Sequence, residues 1–181
     1  MFHGDAPLRV LLAEDHPINQ QVVHLILGPY GAEITTVEDG AQAVEAFGRD
    51  HYDLVLMDMQ MPVMDGLAAT RALRDLEVQT GRPHTPIIML SANAMSQHRQ
   101  DAQDAGADLH VTKPITSASL LTGIGKVLEA TSLAANDSDL TGAEGELVAN
   151  DPDTPAQDRD QRQTGAITSA HVDALAATLE G

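Results

Sequence analysis

Three features of this chain predict an α/β fold built on a doubly wound parallel sheet. Five short apolar runs alternate with five stretches of helical spacing between residues 8 and 128. The runs are apolar without alternation, as in Leu54-Val55-Leu56-Met57, which suits strands buried on both faces. Four of them lead into polar groups with chemical potential: Glu14-Asp15, Asp58, Ser91 and Lys113. Regular alternation implies right-handed crossovers with helices on both faces of the sheet. All four groups then meet at the carboxyl edge, where open α/β sheets bind their ligands. Chance placement would scatter them between both edges. This convergence favours a site over the plainer reading of Asp58 as a turn-capping residue.

In chain order, Leu8 to Ala13 is the first strand, interrupted only by Arg9. Pro17 suits a first helical turn, and Ile18, Val22, Leu25 and Ile26 repeat at helical spacing until Gly28, Pro29 and Gly31 stop the helix. Glu33 to Val37 is a strand and Asp39-Gly40 a turn. Ala43, Val44 and Phe47 mark a short helix, and Asp53 to Asp58 is the third strand. Gly66 opens a helix through Ala69, Leu73 and Leu76. A loop from Thr80 to Pro86 leads into a fourth strand, Ile87 to Leu90. Met95 to Ala105 is helical but mostly polar, and Gly106 ends it. Asp108 to Val111 is the fifth strand. Leu120, Leu121, Ile124, Val127 and Leu128 form the core face of a last helix.

Composition excludes several function classes. The 181 residues include no cysteine, which removes disulfides, thiolate chemistry and zinc–thiolate sites. No apolar run approaches the roughly 18 residues of a membrane span, and Met1 to Pro7 lacks the pattern of a signal peptide. A cytoplasmic location fits. The formal charge of −17, with two Phe, two Tyr and no Trp, argues against a nucleic-acid surface, which needs clustered cations and stacking rings.

The motifs Leu11-Leu12-Ala13-Glu14-Asp15, Leu56-Met57-Asp58-Met59-Gln60-Met61-Pro62-Val63-Met64-Asp65-Gly66, Ile88-Met89-Leu90-Ser91-Ala92 and Thr112-Lys113-Pro114 stand in a fixed order. Together they resemble the receiver domains of two-component response regulators, over residues 7 to 130. Leu11 to Gln21 is similar to receivers attached to hybrid sensor kinases or working in phosphorelays. The resemblance implies strand order 2-1-3-4-5 and a phosphoacceptor switch. A phosphoryl group would pass from a phosphohistidine, on a sensor histidine kinase or a histidine phosphotransfer protein, to Asp58.

Phosphoryl transfer to a carboxylate needs charge neutralised more than it needs a base, and Mg²⁺ prefers carboxylates, a carbonyl and waters. By the resemblance, Asp15 and Asp58 bind the metal directly, Glu14 binds through water, and the Gln60 carbonyl completes the set. Lys113, one of two lysines, would hold a phosphoryl oxygen as a point charge. Pro114 resembles the family's cis-proline; the alternative is a trans proline ahead of a helix starting at Thr116. Ser91 would reach the phosphoryl group, or else cap the following helix. Backbone N–H groups of Met59 and Ala92 would be further donors. Where the family usually places Tyr or Phe as a rotameric switch stands His110. An imidazole is smaller, more polar and titrates near neutrality, so switching there would be weaker or pH-sensitive; a plain surface histidine is the alternative. The other histidines, such as His16, His24 and His98, show no paired spacing and read as surface residues rather than metal ligands.

Residues 131–181 hold 10 acidic and 2 basic side chains. Residues 131–166 read as an acidic, flexible linker within a mostly disordered tail. Residues 167–181 read as a short amphipathic helix bearing Val172, Leu175, Ala176 and Leu179, or as the start of a further domain. His171 lacks the Lys and Gly that usually follow a phosphotransfer histidine. The alternatives in function are an aspartate-nucleophile phosphohydrolase, which would want an acid where Gln60 stands, and an interaction module that is never phosphorylated. The mostly polar fourth helix, with the fifth strand and last helix, is the expected face for a downstream protein, which the terminal helix could cover.

Overall fold

The computed structural model describes residues 6–92 and 94–139, with side chains up to Ala134. It contains β1 (Arg9–Ala13), α1 (Pro17–Leu27), β2 (Glu33–Val37), α2 (Gly40–Arg49), β3 (Leu54–Asp58), α3 (Gly66–Thr80), β4 (Ile87–Ser91), α4 (Ser96–Ala105), β5 (Leu109–Thr112) and α5 (Ser117–Asp139). The strands form one parallel sheet in the order β2-β1-β3-β4-β5. β3 and β4 are buried at every position, which explains their unbroken apolar sequence.

Successive strand residues point to opposite faces, and each face carries its own core. Leu11, Val55, Met57, Ile87 and Met89 pack with Phe47 of α2, Leu73 of α3 and Ala102 of α4. Val10, Leu12, Leu54, Leu56, Ile88 and Leu90 pack with Val23 and Leu27 of α1 and Leu120, Ile124 and Val127 of α5. Asp39 caps α2 by accepting from the Gln42 N–H, and Asp65 caps α3 by accepting from the Ala68 N–H, both at 2.8 Å.

At the amino edge of the sheet, the Arg74 guanidinium from α3 binds the carbonyls of Gly106 and Thr85, each at 2.9 Å, together with Glu77 and Asp108. This ties the C-terminal end of α4 to α3 and to the start of β5. α4 buries only Ala102 and Ala105, both near that end, so its N-terminal turn, toward the carboxyl edge, is the less anchored part.

One boundary moves, and α1 shows which of its apolar residues are buried. The apolar residues of α1 do not all face the sheet: Val23 and Leu27 are buried, while Ile18 and Leu25 are each 76% exposed. α5 runs to Asp139, past residue 130 where the linker was placed. The Thr131 and Ser132 hydroxyls donate to the carbonyls of Val127 and Leu128 one turn back. The remaining tail, with His171, Val172, Leu175 and Leu179, lies outside the described residues.

Gly66 sets how close α3 comes to the end of β3. A Cβ there would lie 2.0 Å from the Asp58 carbonyl oxygen and 3.0 Å from the Met59 Cα. Both contacts are backbone, so nothing can swing aside. Gly66→Ala is expected to cost about 2–3 kcal/mol through overpacking, measured by urea denaturation. An unchanged midpoint would show slack at this junction.

Candidate functional site

The carboxyl edge of the sheet gathers the expected groups. β1 delivers Glu14 and Asp15, β3 delivers Asp58, β4 delivers Ser91 with Ala92 following, and β5 leads to Lys113. Glu14 and Asp58 are buried, at 0% and 5% exposure. The Lys113 ammonium stands between them, 2.7 Å from Glu14 Oε2 and 2.9 Å from Asp58 Oδ2. The Lys113–Pro114 peptide bond is cis.

Burial pushes the Asp58 carboxyl above the usual carboxylate range. The Lys113 hydrogen bond partly offsets this, and the Glu14 charge adds to it. For Lys113, burial alone would lower the ammonium. Its hydrogen bonds to Asp58 and Glu14 outweigh that, and the net shift is upward. Both oxygens of Glu14 are engaged, Oε2 by Lys113 and Oε1 by Asn19 Nδ2 at 2.9 Å and the His16 N–H at 3.2 Å. Among the described residues, Asp58 Oδ1 accepts the long Gln60 N–H contact, 3.3 Å.

Glu14, Asp15, His16 and Asp58 each bring a ligand atom to within 4.8 Å of the others. Three carboxylates against one ammonium leave net negative charge where Asp58 already resists ionisation. The donors are mainly oxygens, so the residues fit a hard divalent cation. A cleft of about 550 Å³ runs from Asp15 and Gln60 to His98 and Asp101 on α4.

Two site features differ from expectation. The Met59 N–H donates to the Leu90 carbonyl at 2.8 Å, extending the β3–β4 ladder, so it is committed to the sheet. The Gln60 N–H faces Asp58 instead. His16, set aside because no other histidine shares its spacing, reaches the cluster through its place directly after Asp15. Its Nδ1 lies 2.7 Å from Asp15 Oδ1.

His110, on β5, is half-buried, and its Nε2 has no hydrogen-bond partner among the described residues. Burial lowers its pKa from the ordinary 6.5, and the charges of Arg99 and His98 on α4 lower it further. A histidine depressed in the folded state contributes stability above 6.5 that is lost as pH falls toward the folded value. Wild type should therefore lose more stability between pH 7.5 and 5 than His110→Phe in urea titrations. Parallel pH profiles would show that His110 carries none of this dependence.

A profile of the response regulator receiver domain matches residues 10–124. The chain belongs to the response regulator receiver family. It is 42% identical over 112 residues to the sensor protein GacS of Pseudomonas syringae, covering 62% of this chain and 12% of that protein. It is 40% identical over 114 residues to hybrid signal transduction histidine kinase I of Dictyostelium discoideum, covering 60% of this chain and 6% of that protein. The chain thus spans a small part of these relatives' length. Among solved structures, the receiver domain of sensor histidine kinase PA1611 from Pseudomonas aeruginosa has magnesium coordinated in its active-site cleft. It superposes with a TM-score of 0.62 at 40% identity, over 68% of this chain and 99% of that one. The receiver domain of Ssk1 from Saccharomyces cerevisiae, in complex with the histidine phosphotransfer protein Ypd1, gives 0.62 at 26% identity, over 71% and 92%. No helix among the described residues is long and apolar enough to cross a membrane.

Proposed function

We propose that this chain is a Mg²⁺-dependent phosphoacceptor switch in a phosphorelay, with Asp58 as acceptor. The observation that carries the reading is Lys113, paired at once with Asp58 and Glu14 at the edge where the cation-binding carboxylates collect. An Asp58 oxygen attacks the phosphorus of a phosphohistidine. The P–N bond breaks, and its electron pair leaves on the donor imidazole, which takes up a proton. Asp15, Asp58 and the Gln60 carbonyl, with Glu14 through water, would hold Mg²⁺, which would supply the charge neutralisation this transfer needs. Lys113, Ser91 and the N–H groups of Ala92 and Gln60 then hold the phosphoryl oxygens. The reaction is self-catalysed by these residues. Loss of the phosphoryl group to water is slow, because Gln60 offers no acid or base.

The donor is a histidine kinase or a histidine phosphotransfer protein, and the setting is cytoplasmic. α1 begins two residues after Asp15, and its exposed Ile18 and Leu25 offer an apolar stripe beside the acceptor on which a donor helix can seat. Output passes through α4, β5 and α5, with Ser91 and His110 as the moving residues. The weakly buried N-terminal turn of α4 and the cleft beside it support this face.

Incubation with Mg²⁺ and acetyl phosphate, followed by intact mass, is the test. One lasting phosphoryl adduct supports the switch. Rapid phosphate release without adduct favours a phosphohydrolase, and no reaction favours an interaction module.

A further inference from the structure

We infer that His16 is a nitrogen ligand of the cation site and tunes it toward first-row divalent cations that accept imidazole. The inference rests on the cation reading of Glu14, Asp15 and Asp58 and goes beyond it, because magnesium alone gives an imidazole no role.

The geometry is that of neighbouring ligands on one ion. Octahedral ligands at about 2.1 Å from a metal lie roughly 3 Å apart when adjacent and roughly 4.2 Å apart when opposite. His16 Nδ1 is 2.7 Å from Asp15 Oδ1, a hydrogen bond that a shared cation would replace, and the candidate ligand atoms of the cluster lie within 4.8 Å of one another. Small side-chain rotations bring such a set onto one ion. The His16 side chain is 69% exposed, so no packing holds it elsewhere.

Elimination points the same way. Glu14 is occupied by Lys113, Asn19 and the His16 N–H, and Lys113 also takes Asp58 Oδ2. Among the described carboxylates of the cluster that leaves Asp15 and Asp58 Oδ1, joined by the Gln60 carbonyl in the proposed set, with open positions that water would otherwise fill. His16 Nδ1 is the additional donor within reach. Magnesium keeps its waters and discriminates against nitrogen, whereas affinity for imidazole-bearing sites rises along Mn²⁺, Fe²⁺ and Co²⁺. A site with His16 engaged therefore discriminates between Mg²⁺ and Co²⁺ more strongly than an all-oxygen site.

The experiment uses the full chain, wild type, His16→Ala, His16→Gln and Asp15→Ala. Calorimetry gives affinities for Mg²⁺ and Co²⁺, and pulsed electron paramagnetic resonance of the Mn²⁺-loaded protein reads nitrogen coupling directly. Wild type should show ¹⁴N modulation on Mn²⁺. His16→Ala and His16→Gln should both lose it. Both should also lose about tenfold in Co²⁺ affinity, the order seen when a ligand's environment is disturbed, while Mg²⁺ affinity changes by about twofold or less. Gln can still donate a hydrogen bond to Asp15, so a role limited to orienting Asp15 would leave His16→Gln like wild type and overturn the inference. Absent ¹⁴N coupling in wild type, or equal losses for Mg²⁺ and Co²⁺, would also overturn it while leaving the cation site standing. If wild type and Asp15→Ala alike bind neither ion, the cation reading itself falls and takes this inference with it.

Discussion

Asp58→Asn is expected to lose phosphorylation by acetyl phosphate to background while melting at a higher temperature than wild type at neutral pH without Mg²⁺. The amide keeps the shape of the carboxylate but lacks the oxygen nucleophile and one unit of metal-binding charge. The stability gain follows from linkage. Burial holds the Asp58 pKa above its ordinary 3.8. A carboxyl raised in the folded state contributes stability that is full below 3.8 and is lost as pH rises through the folded value. At neutral pH the ionised group is therefore a burden, and the neutral amide removes it. The amide oxygen still accepts from Lys113, so that contact does not vanish with the charge. Mg²⁺ should narrow the gap, because it stabilises the native wild type. Persistent labelling of Asp58→Asn would place the acceptor elsewhere. A lower melting temperature would mean that the Lys113–Asp58 pair outweighs the burial of the charge.

The strands were legible because strands covered on both faces leave no room for polar alternation, as in Leu54 to Met57. The acceptor edge was legible because parallel topology sends every strand end the same way, so Glu14, Asp58, Ser91 and Lys113 converge whatever the loops do. Which side of α1 faces the sheet was not legible. Ile18 and Leu25 form one apolar stripe and Val23 and Leu27 another, and periodicity cannot say which is buried. The Arg74 clamp depends on partners 11 to 34 residues away, beyond any local pattern. The exchange of Met59 for Gln60 as the N–H facing Asp58 follows from the β3–β4 register, which pairs Asp58 with Leu90 and commits the next N–H to the ladder. His16 could have been found by asking which residue follows the acidic pair rather than which histidines share a spacing.

Lys113→Met is expected to have the largest effect on stability. Methionine keeps the length of the side chain and removes the ammonium, leaving Glu14 and Asp58 buried with no cation between them. Breaking a buried pair from one side costs about 3–5 kcal/mol, because the partner charges stay behind. Lys113 is 16% exposed along its side chain, which places the expected loss near the lower figure. Mg²⁺ should then rescue the variant more than it stabilises wild type, since the ion no longer competes with an ammonium for Asp58. At a hundredfold excess over its Kd, binding to the native state alone returns about 2.7 kcal/mol. Thermal melts of both proteins with and without millimolar Mg²⁺ measure this. A variant as stable as wild type without the ion would show that the two ion pairs contribute nothing to the fold. On the proposed output route the signal should fail even where Asp58 still accepts phosphate, because Lys113 would be the residue through which the β5–α5 connection feels the new charge. Amide shifts on addition of beryllofluoride should reach the N-terminal turn of α4 through Ser91 but no longer reach His110 and the start of α5. Shifts at His110 and α5 equal to those of wild type would assign the transmission to Ser91 alone.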